Sequence, residues 1–331
     1  MLPRLHEHEG GSIRQKTYFA CIVQLQAYSI HYQTQLRLFM RWYAYNGDAD
    51  GICSMVQWGL VHGIEGKRIT GVKRDIELLD RVQAVQGDEV IVMDISLARN
   101  HERAVALIES GIPVTWFDHH LAGAEIPGIN SFIDTSKNVC TALLVNRHLG
   151  CADDWAITAL YGDGLGQYVE EQSSELSELG ELLNYNGYGA TLDDLHFHPD
   201  ELLQLCLAAK TPQNFIQTEA FLRLKKGFSS DISNTKEIKL IDGIHMLPNE
   251  AWARRVVGVF AHRLNSESVG LHVIAIDKGE TLQISIRGSD GIGELCAKFG
   301  GGGRATAGGI DALPKGEIPD LMNEINARMS N

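Results

Sequence analysis

The chain has 331 residues, of which 44% are hydrophobic and 21% are charged, so its composition excludes a disordered protein and its length predicts two globular domains. The formal net charge is −13, from 29 Lys and Arg against 42 Asp and Glu. This balance argues against binding to duplex DNA or to an anionic membrane, because both require an extended basic surface.

The N-terminal segment, residues 1–39, is rich in Gln and has no clear period, so we predict an extension outside the main fold. A translation start at Met40, and an added helix or strand packed on the domain, are the alternatives. The apolar stretch Tyr18 to Ile30 is interrupted by Gln24 and Gln26, which makes it too short and too polar to span a bilayer.

The cysteines form no CxxC pair, and no secretory signal is convincing, so we predict reduced thiols, mostly in the core, and a cytoplasmic location. The six cysteines are Cys21, Cys53, Cys140, Cys151, Cys206 and Cys296.

From Met40 onward, short apolar runs alternate with helical stretches. This alternation predicts βαβ units and a parallel sheet, in which ligands gather at the carboxyl ends of the strands. The predicted strands cover 42–45, 69–72, 90–93 and 114–117, and the predicted helices cover 52–62, 77–85 and 101–110.

The predicted domain organisation is α/β throughout. We expect a catalytic domain over 40–226, a linker over 227–247 that is marked by Gly and Ser, and a smaller α/β domain over 248–331 with strands at 271–276 and 282–286. Between Arg147 and Lys210 there is no Lys or Arg but many Asp and Glu, and such a face would repel a long polyanion.

Four places carry Asp or His directly after an apolar run that we interpret as a strand: Asp48 to Asp50, Asp94, Asp118 to His120, and Asp163. An isolated Asp after a strand is more often a helix N-cap. Carboxylates and imidazoles that converge at one sheet edge suit divalent cations, and two such ions can clamp an in-line displacement at phosphorus. The ordered set therefore indicates a metal-dependent phosphoryl chemistry.

The motifs are NGDADG at 46–51, VMDIS at 92–96, FDHH at 117–120, YGD at 161–163, SIR at 285–287 and the glycine run at 300–309. Together they resemble the DHH phosphoesterase superfamily, in particular its branch with a C-terminal DHHA1 domain, from Met40 to about Ala327. That branch includes RecJ-like exonucleases, nanoRNases and cyclic-dinucleotide phosphodiesterases. The resemblance implies a parallel-sheet DHH domain, a smaller α/β DHHA1 domain and an active site in the cleft between them.

The resemblance also implies two divalent metal ions, usually manganese. Asp94 would bridge them, Asp48 would hold one ion, and the other would be held by Asp50, His119 and Asp163. Asp118 would orient an imidazole, and His120 would face the scissile phosphate.

Two positions depart from the family pattern. Asn46 stands where several branches place a histidine ligand, so we predict that Asn46 is a poor ligand and that one metal site fills only at raised metal concentration. Arg304 stands where the glycine motif usually ends in histidine, which puts the family's base or phosphate preference in doubt.

Several residues are predicted to bind substrate phosphate. Backbone amides in a glycine run and an arginine side chain both bind anions. We therefore expect the glycine run and Arg304 to hold the end of the substrate that lies away from the scissile bond. Lys73 and Arg74 follow a predicted strand and could also reach a phosphate, the alternative being a solvated pair at a strand end. The remaining predicted contacts are Arg287, Gly301, Gly302, Gly303 and Arg304.

We therefore expect a hydrolase of phosphorylated nucleotides, linear dinucleotides or short oligonucleotides. A polyphosphate or pyrophosphate hydrolase would use the same metal site. Asn46 and Arg304 motivate a further alternative, a nucleotide-binding regulatory protein with a decayed metal site. The sequence leaves open a homodimer through a sheet edge or through the extension.

Overall fold

The structure, a computed structural model, describes residues 39–268, 270–288, 290–304 and 306–329. Most of the predicted N-terminal extension, including Cys21, lies outside the described residues. From Arg41 onward the chain forms one compact unit. In the described ranges, no helix is both long enough and apolar enough to cross a membrane.

The first sheet is parallel throughout, as the alternating pattern predicts, and its strand order is β2-β1-β3-β4-β5. Its strands are β1 (Arg41–Tyr45), β2 (Lys67–Ile69), β3 (Glu89–Met93), β4 (Val114–Asp118) and β5 (Asn130–Ile133). Because parallel strands end at the same edge, the residues after β1, β3 and β4 are brought together.

Both faces of this sheet are buried, which explains the unbroken apolar runs. Alternate residues of β1 enter different cores: Tyr43 and Tyr45 pack on one face, and Ala44 packs on the other. The first face is covered by most of the helices and the second by α2, since Ala104 and Leu107 pack there. The helices of this part are α1 (Ala49–His62), α2 (His101–Glu109), α3 (Thr141–Leu149), α4 (Asp154–Gly162), α5 (Ser174–Gly187), α6 (Pro199–Ala209), α7 (Pro212–Ile216) and α8 (Glu219–Asn234).

The second sheet is mixed, with the order β10-β11-β9-β8-β7-β6, and only the β7–β8 pair of the described strands in it is parallel. Helix α9 covers one face, and α10 and α11 cover the other. The elements are β6 (Lys239–Ile241), β7 (Ile244–Leu247), α9 (Ala251–Glu267), β8 (His272–Asp277), β9 (Thr281–Arg287), α10 (Ile292–Lys298), β10 (Gly302–Arg304), β11 (Ala307–Pro314) and α11 (Ile318–Met329). The predicted order, a parallel-sheet α/β part followed by a smaller α/β part, is confirmed.

The predicted linker over 227–247 is wrong in its first half, because α8 continues to Asn234. Phe221, Leu224 and Phe228 recur at helical spacing and are buried, while the serines that indicated a linker lie largely on the outer side of this helix. Strands β6 and β7 then belong to the second sheet. The second α/β layer therefore begins near Lys239 and not near residue 248.

Two smaller predictions also differ, and one strand has no predicted counterpart. The predicted helix over 77–85 is reduced to a 3₁₀ turn at Leu78–Arg81, and the predicted strand over 69–72 lies at Lys67–Ile69. Strand β5 was not predicted, because its short edge run Asn130–Ile133 is only half apolar. Cys53, Cys140, Cys206 and Cys296 are buried and free, as expected for core thiols, and Cys151 is free and partly buried.

Ion pairs tie α9 to the first part of the chain. Arg254 donates two hydrogen bonds to the Asp194 carboxylate, at 2.7 and 2.5 Å. Next to it, Arg255 donates to Asp231 at 2.7 Å, and Asp231 also accepts a hydrogen bond from the Tyr185 hydroxyl at 2.5 Å. These partly buried pairs fix the second sheet against the helices that surround the first.

A glycine at the start of α1 allows the turn after β1. A Cβ at Gly51 would lie 2.1 Å from the Asn46 carbonyl oxygen. We expect Gly51→Ala to lower the free energy of unfolding by about 1–3 kcal/mol, as overpacking of a rigid backbone contact does. Chemical denaturation measures the change. Gly316→Ala, where an added Cβ meets nothing within 4 Å, is the matched control and should change stability by less than about 0.5 kcal/mol; equal effects of the two variants would contradict the close approach.

Candidate metal centre

Asp48 follows β1 and caps α1. Its Oδ1 accepts hydrogen bonds from the backbone N–H groups of Asp50 at 3.1 Å and Gly51 at 3.2 Å, so the N-cap interpretation holds for this carboxylate. Its Oδ2 forms an ion pair with Lys73. Both oxygens of Asp48 are thus engaged.

Asn46 holds the loop rather than standing free. Its Oδ1 accepts a hydrogen bond from the Asp48 N–H at 3.3 Å, and its Nδ2 donates to the Lys73 carbonyl at 3.2 Å. The side chain therefore links the β1 loop to the loop after β2, a positioning role that sequence reasoning missed. Metal ligation by Asn46 stays a prediction.

Asp50 lies in the first turn of α1 and caps a different helix, α3. Its two oxygens accept hydrogen bonds from the N–H groups of Thr141 at 2.8 Å and Ala142 at 2.7 Å. The positive end of the helix dipole and these two donors stabilise a buried carboxylate. Spatial contact between residues 91 and 92 positions apart is invisible to a local motif.

Asp94 has a left-handed backbone, with φ of 59°, directly after β3. Such a conformation is costly for a residue with a side chain and often marks a functional site. Its N–H donates to the Phe117 carbonyl at 3.0 Å, and its Oδ1 accepts from the Thr141 hydroxyl at 3.3 Å. The carboxylate is therefore held among the strand ends.

The histidines after β4 are oriented by fixed acceptors. His119 Nδ1 lies 3.0 Å from the Val139 carbonyl, so this nitrogen carries the proton and Nε2 is free to act as a ligand. His120 Nδ1 lies 2.7 Å from Asp118 Oδ1. Burial opposes protonation of His120, but the Asp118 carboxylate raises the pKa of this imidazole above its usual value. Asp118 thus orients an imidazole, the role that the resemblance implies for it.

Asp163 does not follow a strand, contrary to the prediction. It caps the carboxyl end of α4, and its N–H donates to the Ala159 carbonyl at 2.9 Å. The apolar run before it is a buried helix, and a short apolar run does not by itself distinguish helix from strand. Its Oδ2 is buried and has no hydrogen-bond partner among the described residues.

These side chains converge on His119. Its Nε2 lies 3.6 Å from Asp94 Oδ1 and 3.8 Å from both Asp50 Oδ2 and Asp163 Oδ2. Asp94, His119 and His120 also each place one ligand atom within 4.8 Å of the others. We call Asp48, Asp50, Asp94 and Asp163 the acidic cluster.

The donor set fits a divalent cation. Atoms that bind one ion at about 2.1–2.2 Å lie roughly 3–3.6 Å from their neighbours in octahedral or tetrahedral arrangements, close to the distances around His119. The unpartnered Asp163 oxygen lies in this group, where an ion would satisfy it. Asp50, Asp94, Asp163 and His119 are therefore the residues that would hold an ion.

The electrostatics point the same way. Burial, together with the charges of Asp50 and Asp48, raises the pKa of Asp94 well above its usual value. Burial and the neighbouring carboxylates also raise the pKa of Asp50, although His119 opposes the shift. Burial has the same direction at Asp48, but the Lys73 ammonium holds the pKa of Asp48 below its usual value. A divalent cation would relieve the repulsion among the others.

The predicted phosphate-binding residues lie in different places. Lys73 contacts the acidic cluster through Asp48, whereas Arg74 Nη1 donates to Asp311 of β11 at 2.6 Å and so contacts the second sheet. Arg287 ends β9, and its side chain donates to the Ile286 carbonyl at 2.9 Å. The glycine run is part of the second sheet: the Gly301 N–H donates to the Cys296 carbonyl, and Gly302, Gly303 and Arg304 form β10 beside β11. Their contact with a substrate stays a prediction.

The structure also adds residues that the motifs do not contain. Thr141 donates to both Asp50 and Asp94, and Asn184 accepts from Lys73 at 3.0 Å. Each acts across a large sequence separation. Of these residues, only Thr141 has a recognisable sequence pattern, because it is a polar residue at the start of a helix. That pattern is typical of any helix terminus and does not indicate a metal site.

Removal of one charge from the acidic cluster should stabilise the metal-free protein. Because the pKa of Asp94 is raised on folding, its ionised form opposes folding at neutral pH, and this loss disappears as the pH falls through the folded pKa toward 3.8. Asparagine tolerates a left-handed backbone, so Asp94→Asn should keep the local conformation. In chelator at pH 7, we expect this variant to have a higher Tm than the native chain, by about 2–4 °C for each kcal/mol of charge repulsion that is removed. Thermal unfolding at several pH values tests this, and the difference should shrink toward acid pH. Added Mn²⁺ should raise the Tm of the native chain more than that of the variant; the opposite order would contradict a metal role for Asp94.

Comparison with known proteins locates this arrangement among solved folds. Neither protein-family models nor curated proteins match the chain. The solved structures that match it include exonuclease RecJ bound to manganese (16% identity, TM-score 0.53, 88% of this chain and 90% of that one), the pGpG-specific phosphodiesterase PggH from Vibrio cholerae (15%, 0.52, 87% and 99%), and the DHH domain of a member of a family of ribosomal proteins (13%, 0.57, 88% and 86%).

At these identities the likeness concerns the fold. It extends over both sheets, since it covers almost all of the chain after the N-terminal extension. The four motifs that resemble those of the DHH superfamily lie at the strand and helix ends of this fold, and most of their side chains meet around His119. The chain thus shares its two-sheet α/β fold with these structures, one of which is a DHH domain, as its motifs predict.

Proposed function

We propose that the chain is a divalent-metal-dependent phosphoesterase that hydrolyses short phosphorylated nucleotides. The observation that carries this proposal is the convergence of three carboxylates on the free Nε2 of His119. Two structurally similar proteins are described as RecJ bound to manganese and as a phosphodiesterase specific for pGpG. We expect manganese here also, at two sites of unequal affinity.

The side chains have separable roles in this proposal. Asp50, Asp94, Asp163 and His119 hold the ion, while hydrogen bonds with Thr141 and Val139 keep their orientation. When bound, a divalent ion in such a site lowers the pKa of water and neutralises charge on phosphoryl oxygens.

His120 is 42% exposed, unlike the buried Asp118 that orients it, so it can face a substrate. Because the Asp118 carboxylate favours its charged form, His120 can donate a proton to a leaving oxygen or stabilise developing negative charge.

The second sheet supports a short substrate. Arg74 and Asp311 join the loop after β2 to β11, and Lys278 lies near enough that burial and the Arg74 charge lower the pKa of its ammonium. Because the Asp311 carboxylate neutralises Arg74, the Lys278 ammonium leaves a net positive charge at this junction. A ligand gripped by both sheets would lie in the cleft between them, with its far end on Arg287 and the glycine strand β10.

Charge limits the length of that ligand. The region between Arg147 and Lys210 contains acidic residues and no Lys or Arg, so it would repel a long single strand. Linear dinucleotides and nucleotide bisphosphates are the substrates that we expect, and duplex DNA and membranes are not expected partners. The cytoplasmic location also stays a prediction.

A substrate panel tests the proposed activity. The full chain is incubated with Mn²⁺ and linear dinucleotides, a 3′,5′-bisphosphate nucleotide, a single-stranded 20-mer or polyphosphate, and product release is measured. We expect turnover of the short nucleotides, and a loss of about 100-fold or more in Asp94→Asn, since even residues outside the ligand shell change metal affinity by roughly 10- to 100-fold.

Each other result assigns a different function. Turnover of polyphosphate alone would identify a polyphosphate hydrolase. Nucleotide binding without turnover at any metal concentration would identify a regulatory protein with a decayed metal site. Equal activity of the native chain and Asp94→Asn would overturn the proposed site.

His120 should act in the chemical step. We expect His120→Ala to lower kcat by about 10²- to 10⁴-fold, the usual contribution of a general acid or base. His101→Ala, in a histidine at the start of α2, is the control and should leave kcat unchanged. Steady-state kinetics at saturating Mn²⁺ measures both variants, and an unchanged kcat in His120→Ala would contradict the role.

A further inference from the structure

Hydrogen bonds from two other parts of the chain fix the backbone of Lys73. Its N–H donates to the Gly187 carbonyl at the end of α5, at 2.8 Å, and its carbonyl accepts from Asn46 Nδ2 at 3.2 Å. The loop after β2 is thereby fixed against α5 and against the loop after β1. The lysine side chain starts from a defined position beside the acidic cluster.

The ammonium group then meets three features that bind cations. It forms an ion pair with Asp48 Oδ2, donates to Asn184 Oδ1 at 3.0 Å, and lies 5.6 Å from the centroid of the Tyr188 ring. The Lys73 side chain is 24% exposed and that of Asp48 is 4% exposed, so the pair is largely shielded from water. Asp48, Asn184 and Tyr188 thus form a binding site for one positive charge, which we call the lysine seat.

The Lys73 ammonium competes with a metal ion for Asp48. Oδ1 of Asp48 already accepts two backbone N–H groups, and Oδ2 accepts the ammonium. A metal ion bound by Asp48 would have to displace Lys73 or lie against its charge, and the Coulomb repulsion between two cations is strong where water is scarce.

On the opposite side of the acidic cluster, the ligand atoms are not paired with any described lysine. There, His119 Nε2 lies among the oxygens of Asp50, Asp94 and Asp163, and Asp163 Oδ2 has no hydrogen-bond partner within the described ranges. Unpaired oxygen and a free imidazole nitrogen are what a metal ion requires.

Asn46 connects these observations. Its Nδ2 donates to the Lys73 carbonyl and its Oδ1 accepts from the Asp48 N–H, so one side chain positions both members of the ion pair.

We propose that the Lys73 ammonium occupies the position of the second, weaker metal site, so that only the ion on the His119 side binds tightly. The lysine would supply a fixed positive charge that needs no metal from solution. The inference rests on the proposed function for the identity of the site as a metal centre, and it concerns how many ions that centre holds.

Counting bound Mn²⁺ tests the proposal without reference to activity. The metal-free full chain is titrated with Mn²⁺ by calorimetry, and electron paramagnetic resonance distinguishes single ions from exchange-coupled pairs. We expect one tight ion per chain with an uncoupled spectrum. Lys73→Met should strengthen binding of a second ion by roughly 10- to 100-fold and produce a coupled spectrum, since neighbouring groups change metal affinity by that much.

Two variants serve as controls. Lys73→Arg keeps the charge and should keep the single-ion behaviour. Arg74→Met removes a charge from the adjacent residue, whose described partner is the exposed Asp311, and should leave the metal count unchanged. If Lys73→Met does not fold, Asn184→Ala loosens the same seat and should strengthen the second site by a smaller factor.

The outcomes separate this inference from the proposed function. Two ions of equal affinity in the native chain, or an unchanged second site in Lys73→Met, would overturn the inference even if the chain is an active hydrolase. One tight ion in a chain that hydrolyses none of the panel would uphold the inference about metal number and overturn the function.

Discussion

Repulsion between buried carboxylates is the constraint around which this structure is arranged. The acidic cluster lies at the carboxyl edge of the first sheet, where Asp48, Asp50 and Asp94 are buried and Asp163 is partly buried, so the repulsion between their negative charges requires compensation. Different groups compensate the charges of these carboxylates. The end of helix α3 stabilises Asp50, Lys73 neutralises Asp48, and Asp94 and Asp163 are left facing His119. The cluster is therefore asymmetric before any metal binds.

That asymmetry depends on helix α5 as much as on the motifs. Its carboxyl end supplies Asn184 to the lysine head group and the Gly187 carbonyl to the lysine backbone. A Cβ at Gly187 would lie 2.9 Å from the Asp48 Cα, so the helix end approaches the β1 loop closely. The same helix carries Tyr185, which belongs to the network around Arg255. One helix thus links the acidic cluster to the second sheet.

The network around Arg255 fixes how the two sheets face each other. Tyr185, Asp231 and Arg255 share hydrogen bonds in a partly buried setting, and Asp194 pairs with the adjacent Arg254. Breaking one member of such a network leaves the others unpaired, which makes the arrangement specific. The glycine strand β10 and Arg287 therefore keep a defined relation to the strand ends where the carboxylates lie.

The sequence by itself determined the parallel sheet, the order of the two α/β parts and most of the acidic cluster, because apolar runs and the residues that end them are local patterns. It misplaced Asp163 on a strand and a linker inside α8, since short apolar or serine-rich runs do not fix the helical face that is buried. Only the tertiary structure decided that Lys73 pairs with Asp48 and Asn184, which lie 25 and 111 positions away along the chain. Such pairs form because packing brings distant segments of the chain together, and the energy of a buried charge depends on those neighbours rather than on its place in a motif.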